Sequence, residues 1–232
     1  AISSDGGLLL HRELDDALGL TDLATDLLVD HRTGKNGRHT FVGLLRQSIF
    51  SRLAGYEDVN DADRLCRDPV MRQLVGGRAV KRGAASASAM GRFETATLTQ
   101  AENLAALADL SGHWIDAVHA KRPSKVIGLD MDSYESPVYG DQEAAIWNGH
   151  FQSKCLHPLF VFNQFGDLER CVLRPGNVHS ADGWKELLSP VLARYSAKAR
   201  PSIIRRRFRG DAAFAIPGLF DLLEAEGWDY AI

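Results

Sequence analysis

The chain has 232 residues, of which 45% are hydrophobic and 25% are charged, a globular composition that excludes disorder throughout. Its net charge of −3 and isoelectric point near 6.3 exclude binding to nucleic acid through overall charge, although attraction to phosphates depends on local basic patches. No apolar run approaches the roughly 20 residues of a membrane span. Three widely spaced cysteines fit neither a disulfide framework nor a zinc site, which favours a reducing cytosol.

The first 120 residues are predicted to form an all-helical domain, because apolar residues recur there at three- and four-residue intervals. Leucines in residues 8–20 and 22–29 have this spacing, and a Gly/Arg-rich loop follows at 32–39. Phe41–Leu53 is predicted as an amphipathic helix that Gly55 ends. The other predicted elements are short helices at 61–66, from Asp68-Pro69 onward and at 86–93, a break at 76–83, and a long helix at 99–119.

Residues 121–232 are predicted as a separate α/β domain, joined by an Arg122-Pro123-Ser124 linker. Short runs rich in β-branched and aromatic residues alternate there with helical spacing, and Gly166-Asp167 indicates a hairpin turn. The predicted order is β-β-β-α-β-α-β. It comprises strands at 125–132, 155–163 and 168–173, a helix at 181–197 interrupted near Pro190, a strand at 201–208, a helix at 215–226 and a strand at 228–232.

Three aspartates are the candidate chemical groups of this α/β domain. Asp130 and Asp132 are two residues apart on a predicted strand, so their side chains point to the same face. Asp211 follows the strand at 201–208, after Arg209-Gly210, at the strand end where α/β sheets usually bind ligands. Aspartates on neighbouring strands can hold the metal ions of phosphoryl transfer. Alternatively, Asp130 or Asp132 caps the strand or pairs with Lys154 or Arg174.

An ordered set of motifs resembles the DDE transposases of bacterial insertion sequences, and in particular the insertion-sequence 1380 family. The resemblance spans nearly the whole chain. Its motifs are Val126-Ile-Gly-Leu-Asp-Met-Asp132, Pro137-Val-Tyr-Gly140, Asn148-Gly-His150, Cys155-Leu-His-Pro-Leu159, Leu173-Arg-Pro-Gly-Asn177, Arg209-Gly-Asp211 and, in the amino-terminal half, Leu44-Leu-Arg-Gln47, Gly55-Tyr-Glu-Asp58, Arg67-Asp-Pro69 and Arg92-Phe-Glu94.

This resemblance implies an RNase H-like mixed sheet that cuts and joins transposon ends with Mg²⁺ or Mn²⁺. It assigns the first catalytic and metal-binding aspartate to Asp132 and the second to Asp211. Asp130 is then a neighbour that shapes the site, or the first ligand in place of Asp132. Tyr134 and Ala213 depart from the family pattern, in which threonine and glycine are usual.

The resemblance also implies a third catalytic carboxylate, a glutamate on a helix well beyond the last predicted strand. Glu143, Glu224 and Glu226 do not match its position. The sequence begins without methionine at Ala1 and ends at Ile232, so the resemblance predicts a fragment truncated at both ends. Such a fragment is expected to be inactive alone for lack of the third acid.

DNA is the expected partner, in the form of terminal inverted repeats and target DNA bound by a homodimer in a synaptic complex. The proposed DNA contacts are Arg92, Arg174 and Arg209. Arg92 ends the stretch at 86–94 that resembles the second helix of a helix-turn-helix. The expected location is the bacterial cytoplasm, at the nucleoid and away from membranes. The alternatives are a non-catalytic DNA-binding regulator derived from a transposase, and an unrelated metal-dependent nuclease or phosphatase.

Overall fold

The computed structural model describes residues 3–33 and 37–232, which form two compact units, Ala1–Leu110 and Ser111–Ile232. Within these ranges no helix is long and apolar enough to cross a membrane. The loop predicted at 32–39 lies partly outside the described residues, since residues 34–36 fall in the gap. The domain boundary predicted at residue 120 stays a prediction, and the two units divide within a long helix.

All regular elements described in the first unit are helical. They are α1 Leu8–Leu18, α2 Leu20–Leu27, α3 Phe41–Leu53, α4 Ala62–Leu65, α5 Pro69–Val75, α6 Ala79–Arg82, α7 Ala87–Arg92 and the start of α8 Ala101–Lys121. The break expected at 76–83 was wrong in part, because α6 forms between Gly76 and Gly83. A π-helical turn at Phe93–Thr97 follows α7 directly.

Local sequence explains where the central helices of this unit begin and end. The Thr40 hydroxyl accepts a hydrogen bond from the Gly43 amide at the start of α3, and the Asp68 carboxylate caps α5 at the Met71 amide. Gly55, at φ +83°, follows the end of α3. The fully buried Gln47 amide exchanges two hydrogen bonds of 2.7 Å with the Ala85 backbone, which fixes the start of α7 against α3.

The second unit is built on a mixed five-stranded sheet. Its strands are β1 Val126–Ser133, β5 Leu159–Asn163, β6 Leu168–Val172, β7 Arg205–Gly210 and β8 Asp229–Ala231, in the order β6-β5-β1-β7-β8. The strands β1 and β7 are parallel, as are β7 and β8, whereas β5 runs antiparallel to both β1 and β6. The central sheet therefore has the predicted β-β-β-α-β-α-β order of strands and helices.

Helices α9 Trp184–Arg194 and α10 Pro217–Ala225 pack on one face of this sheet. The core contains Ile127, Leu129 and Met131 from β1. The interruption expected near Pro190 was wrong, because α9 runs through it. Proline removes one helical hydrogen bond and costs about 3 kcal/mol. The apolar face of α9 buries four side chains, each worth about 1.5–3 kcal/mol, which outweighs that cost.

The run predicted as one strand at 155–163 is instead two strands in different sheets. β4 Ser153–Leu156 pairs with β2 Ser136–Pro137 and β3 Ile146–Asn148 in a small antiparallel sheet. The break falls at His157-Pro158, because proline has no amide hydrogen for a sheet ladder. The strand expected from residue 201 begins only at Arg205, after a turn in which the Ile203 amide donates to the Arg200 carbonyl.

An ionic network lies beneath the edge strand β6. The Glu169 carboxylate is fully buried and accepts hydrogen bonds from Asn163 Nδ2 at 2.8 Å and Tyr195 Oη at 2.7 Å. The Arg194 guanidinium forms an ion pair with it and also lies 3.4 Å from Asp116 on α8. Burial raises the pKa of Tyr195, so this phenol remains a hydrogen-bond donor at neutral pH. The network connects α8, α9 and the sheet.

Candidate functional site

The two faces of β1 have different environments. Ile127, Leu129 and Met131 are buried against the helices, whereas Gly128, Asp130 and Asp132 alternate onto the opposite face. The prediction that Asp130 and Asp132 share a face agrees with this alternation. That face is the more open one, since Asp132 is exposed and Asp130 is half-buried.

Asp211 reaches the same face from the neighbouring strand. In the parallel register, Asp130 is opposite Arg209 and Met131 is opposite Gly210, so continuing by one residue places Asp132 beside Asp211. Adjacent strands are about 4.8 Å apart. The backbone of Asp211 stays extended at φ −79° and ψ 175°, which keeps its side chain on the face of Arg209.

Gly210, the residue before Asp211, lies against two aromatic side chains of the core. A Cβ at Gly210 would lie 3.3 Å from the rings of both Phe208 and Phe214, which are buried in the core. The glycine therefore lets β7 pass closely over the two aromatic rings before the chain turns at Asp211.

Asp130 is held by a guanidinium. Arg209 Nε lies 2.6 Å from Asp130 Oδ1, and Arg209 Nη2 lies 2.8 Å from Asp130 Oδ2, so both carboxylate oxygens are engaged. These hydrogen bonds raise the pKa of Arg209. This pairing is a two-point arginine–carboxylate contact across the β1–β7 pair. It differs from the pairing with Lys154 or Arg174 that was the alternative expectation.

Asp132 and Asp211 each keep an oxygen available. Asp132 Oδ1 accepts from the Ser133 amide at 2.8 Å, and Asp211 Oδ1 accepts from the Ala213 amide at 2.9 Å. In residues 3–33 and 37–232, no partner is found for either second oxygen. Carboxylate oxygens are the ligands preferred by Mg²⁺, which usually keeps several waters. The pair fits such an ion, although no group of three or more His, Cys, Asp or Glu among the described residues could hold a metal.

A groove of about 620 Å³ runs along the same open face. Its walls include Arg205, Arg207 and Arg209 from β7 and Gln164 beside β1. Gln164 hydrogen-bonds the Gly128 amide and the Val126 carbonyl, both at 2.9 Å. Gln164 was not singled out from the sequence, whereas Arg207 belongs to a basic cluster with Arg205, Arg206 and Arg209. Arginines occur at every second position, 205, 207 and 209, and in a strand this spacing places all three side chains on one face.

The structure places the predicted DNA contacts in three different environments. Arg92 is exposed on α7, where it donates to the Ser88 hydroxyl at 2.8 Å. Arg209 donates hydrogen bonds to the Asp130 carboxylate. Arg174 is buried and donates to the carbonyls of His157 and Ser180 at 2.8 and 3.0 Å, so its donors hold the protein's own loop.

Comparison with known proteins gives one family. The family described as "Transposase DDE domain group 1" matches residues 1–232, the whole chain. A search of curated protein sequences found no match.

Two solved structures are similar to the chain at low identity. They are "Mos1 transposase paired-end complex with left transposon end", at 16% identity, and "Crystal structure of a pre-cleavage Mos1 transpososome", at 14%. Both have a TM-score of 0.29, and each alignment covers 87% of this chain and 61% of the other. The chain therefore spans less than two thirds of the length of these relatives.

Proposed function

Because the chain belongs to the family of transposase DDE domains group 1, we propose that it supplies catalytic carboxylates for metal-dependent cleavage and strand transfer of DNA at transposon ends. One observation carries this proposal. Asp132 and Asp211 lie at neighbouring carboxyl ends of the parallel strands β1 and β7, on the open face of the sheet. This is the edge at which α/β sheets commonly bind their ligands.

Asp132 and Asp211 would hold Mg²⁺ or Mn²⁺ through their available oxygens. Such an ion would activate an attacking hydroxyl and stabilise the charge that develops on the leaving oxygen of a phosphodiester. The amides of Ser133 and Ala213 orient the two carboxylates through their first oxygens. This chain's own contribution is therefore two fixed, unpaired carboxylate oxygens on adjacent strands.

Asp130 has a different role in this proposal. Arg209 engages both of its oxygens, which leaves Asp132 as the better first ligand of the two aspartates on β1. The Asp130–Arg209 pair crosses from β1 to β7 two residues before the proposed ligands. It supports the strand register that brings Asp132 beside Asp211.

The proposal also covers the fold type, the DNA substrates, the assembly and the family subgroup. The strand order β6-β5-β1-β7-β8 supports an RNase H-like assignment, with β1 central and the acidic residues at its carboxyl end and at that of β7. Transposon ends and target DNA are the proposed substrates, and a homodimer that pairs two ends at the bacterial nucleoid is the proposed assembly. The insertion-sequence 1380 family is the proposed subgroup.

Binding of Mn²⁺ to the 232-residue chain tests the site directly. Electron paramagnetic resonance of free Mn²⁺ is expected to show binding that Mg²⁺ displaces. Asp132→Asn and Asp211→Asn are each expected to weaken it by more than tenfold, because even groups that only orient a metal ligand are worth about 10- to 100-fold. Asp130→Asn is expected to change it less than either.

The outcomes separate the candidate roles of the chain. Loss of binding in Asp130→Asn but not in Asp132→Asn would move the first ligand to Asp130. A chain that binds DNA but no Mn²⁺ would support the non-catalytic regulator instead. Asp221→Asn changes an exposed aspartate on α10 that does not line the groove along the open face. This variant is the matched control and is expected to bind Mn²⁺ like the unchanged chain.

A further inference from the structure

A second groove, of about 380 Å³, lies within the helical unit. Its charged walls are Arg32, Arg38, His39 and Arg92, and its floor includes the apolar side chains Leu44 and Phe93. The arginines come from separate parts of the chain, two from the segment before α3 and one from the end of α7. The volume lies in the range of about 300–1,000 Å³ that is usual for small-molecule sites.

The arginine charges in this groove are only partly compensated. Arg32 has a two-point pair with Asp30, at 2.7 and 2.8 Å. In contrast, Arg38 donates to the Arg82 carbonyl at 2.8 Å, and Arg92 donates to the Ser88 hydroxyl. Neither Arg38 nor Arg92 has a carboxylate partner among the described residues. Among the residues that the structure describes, the groove thus keeps positive charge on Arg38 and Arg92 that no carboxylate neutralises.

His39 lies within the positive field of these arginines. Burial is the largest cause that lowers the pKa of His39, and the charges of Arg38 and Arg32 lower it further. The imidazole is therefore mainly neutral at pH 7, since its ordinary value is already near 6.5. A neutral ring can still donate one hydrogen bond to a bound anion.

The groove wall also contains irregular helical structure. Phe93 and Thr97 are the ends of the π-helical turn that follows α7, and both line the groove. Single π-helical turns inserted in helices occur frequently at functional sites. Gln47 fixes the start of α7 through the Ala85 backbone, so the helix that bears Arg92 is anchored to α3, which supplies Leu44.

We propose that this groove binds a phosphodiester of the DNA backbone, with Arg38 and Arg92 as the phosphate contacts. The planar guanidinium matches phosphate oxygens at two points, and the apolar floor suits the attached sugar. Within the described part of the chain, no Asn, Gln, Asp or Glu side chain lines the groove. Arginine can also contact guanine, so phosphate contact by Arg38 and Arg92 is distinguished by losses of affinity that are similar for duplexes of different sequence.

The inference rests on the proposed function for its ligand, DNA, but it predicts binding without metal. Anisotropy of a short labelled duplex with the full 232-residue chain in EDTA therefore tests it apart from Asp132 and Asp211. Arg38→Gln and Arg92→Gln are each expected to weaken binding roughly tenfold, the lower end of the range for hydrogen bonds to charged groups. The double variant is expected to lower the salt dependence by about two counterions.

Matched variants decide between this groove and general charge. Arg78→Gln removes the same charge from an exposed position of the same unit outside the groove, and its expected loss is less than twofold. Arg92→Lys, which keeps the charge but not the planar fork, is expected to recover part of the affinity. Circular dichroism of each variant is expected to match the unchanged chain, because Arg38 and Arg92 are exposed.

Four outcomes would overturn the inference. They are absence of DNA binding in EDTA, equal losses in Arg78→Gln and Arg92→Gln, a loss confined to one duplex sequence, and binding of inorganic phosphate that duplex DNA does not displace. Asp132→Asn/Asp211→Asn is expected to retain DNA binding in EDTA. If the groove variants bind DNA as tightly as the unchanged chain while Mn²⁺ binding is retained, the groove assignment is wrong and the proposed metal site stands. If the chain binds no Mn²⁺ but the groove variants lose DNA affinity as expected, the groove assignment stands.

Discussion

Replacing Asp132 or Asp211 by asparagine is expected to lower Mg²⁺-dependent DNA cleavage by roughly a thousandfold in a preparation that cuts transposon ends. A bound metal contributes several kcal/mol to stabilising a phosphoryl transition state, and about 4 kcal/mol corresponds to three powers of ten in rate. Asparagine keeps the size of the side chain and the acceptor for the Ser133 or Ala213 amide, but it removes the negative charge. The measurement is single-turnover cleavage of a labelled end at saturating protein.

Asp130→Asn and Asp221→Asn are the two comparisons for this experiment. Asp221→Asn is expected to leave the rate unchanged, because it lies on the exposed side of α10. Asp130→Asn is expected to lower the rate less than either ligand variant, because it weakens the Arg209 pair without removing a proposed ligand. A rate within tenfold of the unchanged protein in both Asp132→Asn and Asp211→Asn would refute the metal assignment.

Much of this site was predictable from local sequence, because strand alternation has a period of two. The alternation of Asp130 and Asp132 with Ile127, Leu129 and Met131 requires only that the segment be a strand with one buried face. The predicted helix at Phe41–Leu53 and the predicted turn at Gly166 are also confirmed. Both were predictable because apolar spacing and turn residues act within a few positions of the chain. Such features need no knowledge of distant contacts.

Pairing between distant segments was not predictable from the same patterns. One of the two neighbours of β1 is β7, about 80 residues later along the chain, and only this register reveals that Arg209 engages Asp130. The same holds for Arg174, which was predicted to contact DNA but donates its hydrogen bonds to the carbonyls of His157 and Ser180. A charged side chain's partner depends on tertiary packing, which single-sequence spacing does not contain.

Replacing Glu169 by leucine is expected to lower the free energy of unfolding of the second unit by about 3–5 kcal/mol, because the substitution leaves the Arg194 guanidinium without its buried partner. It also removes the acceptor for Asn163 and Tyr195. Urea unfolding followed by tryptophan fluorescence reports this unit alone, since Trp114, Trp147, Trp184 and Trp228 all lie in it. Glu186→Ala, exposed on α9, is expected to change stability by less than about 0.5 kcal/mol.

The network predicts that a second substitution will restore what the first removes. In Glu169→Leu/Arg194→Met both charges of the pair are gone, and replacing a buried ion pair by apolar side chains is often neutral. Asp116 keeps a partner in this variant, because Arg200 Nη2 lies 2.6 Å from it. The double variant is therefore expected to be more stable than Glu169→Leu alone. If the loss of unfolding free energy in the double variant equals the sum of the losses in Glu169→Leu and Arg194→Met, the pair is not the stabilising element.

Gly112 on α8 provides an independent test of the same network. A Cβ at this position would overlap the guanidinium of Arg194, which Glu169 and Asp116 hold in place. Gly112→Ala should therefore destabilise the unchanged protein. With Arg194→Met already present, the overlap is gone, and alanine should stabilise the helix by up to about 1 kcal/mol. This change of sign follows only if Arg194 lies across α8 at Gly112, and the same effect in both backgrounds would place its guanidinium elsewhere.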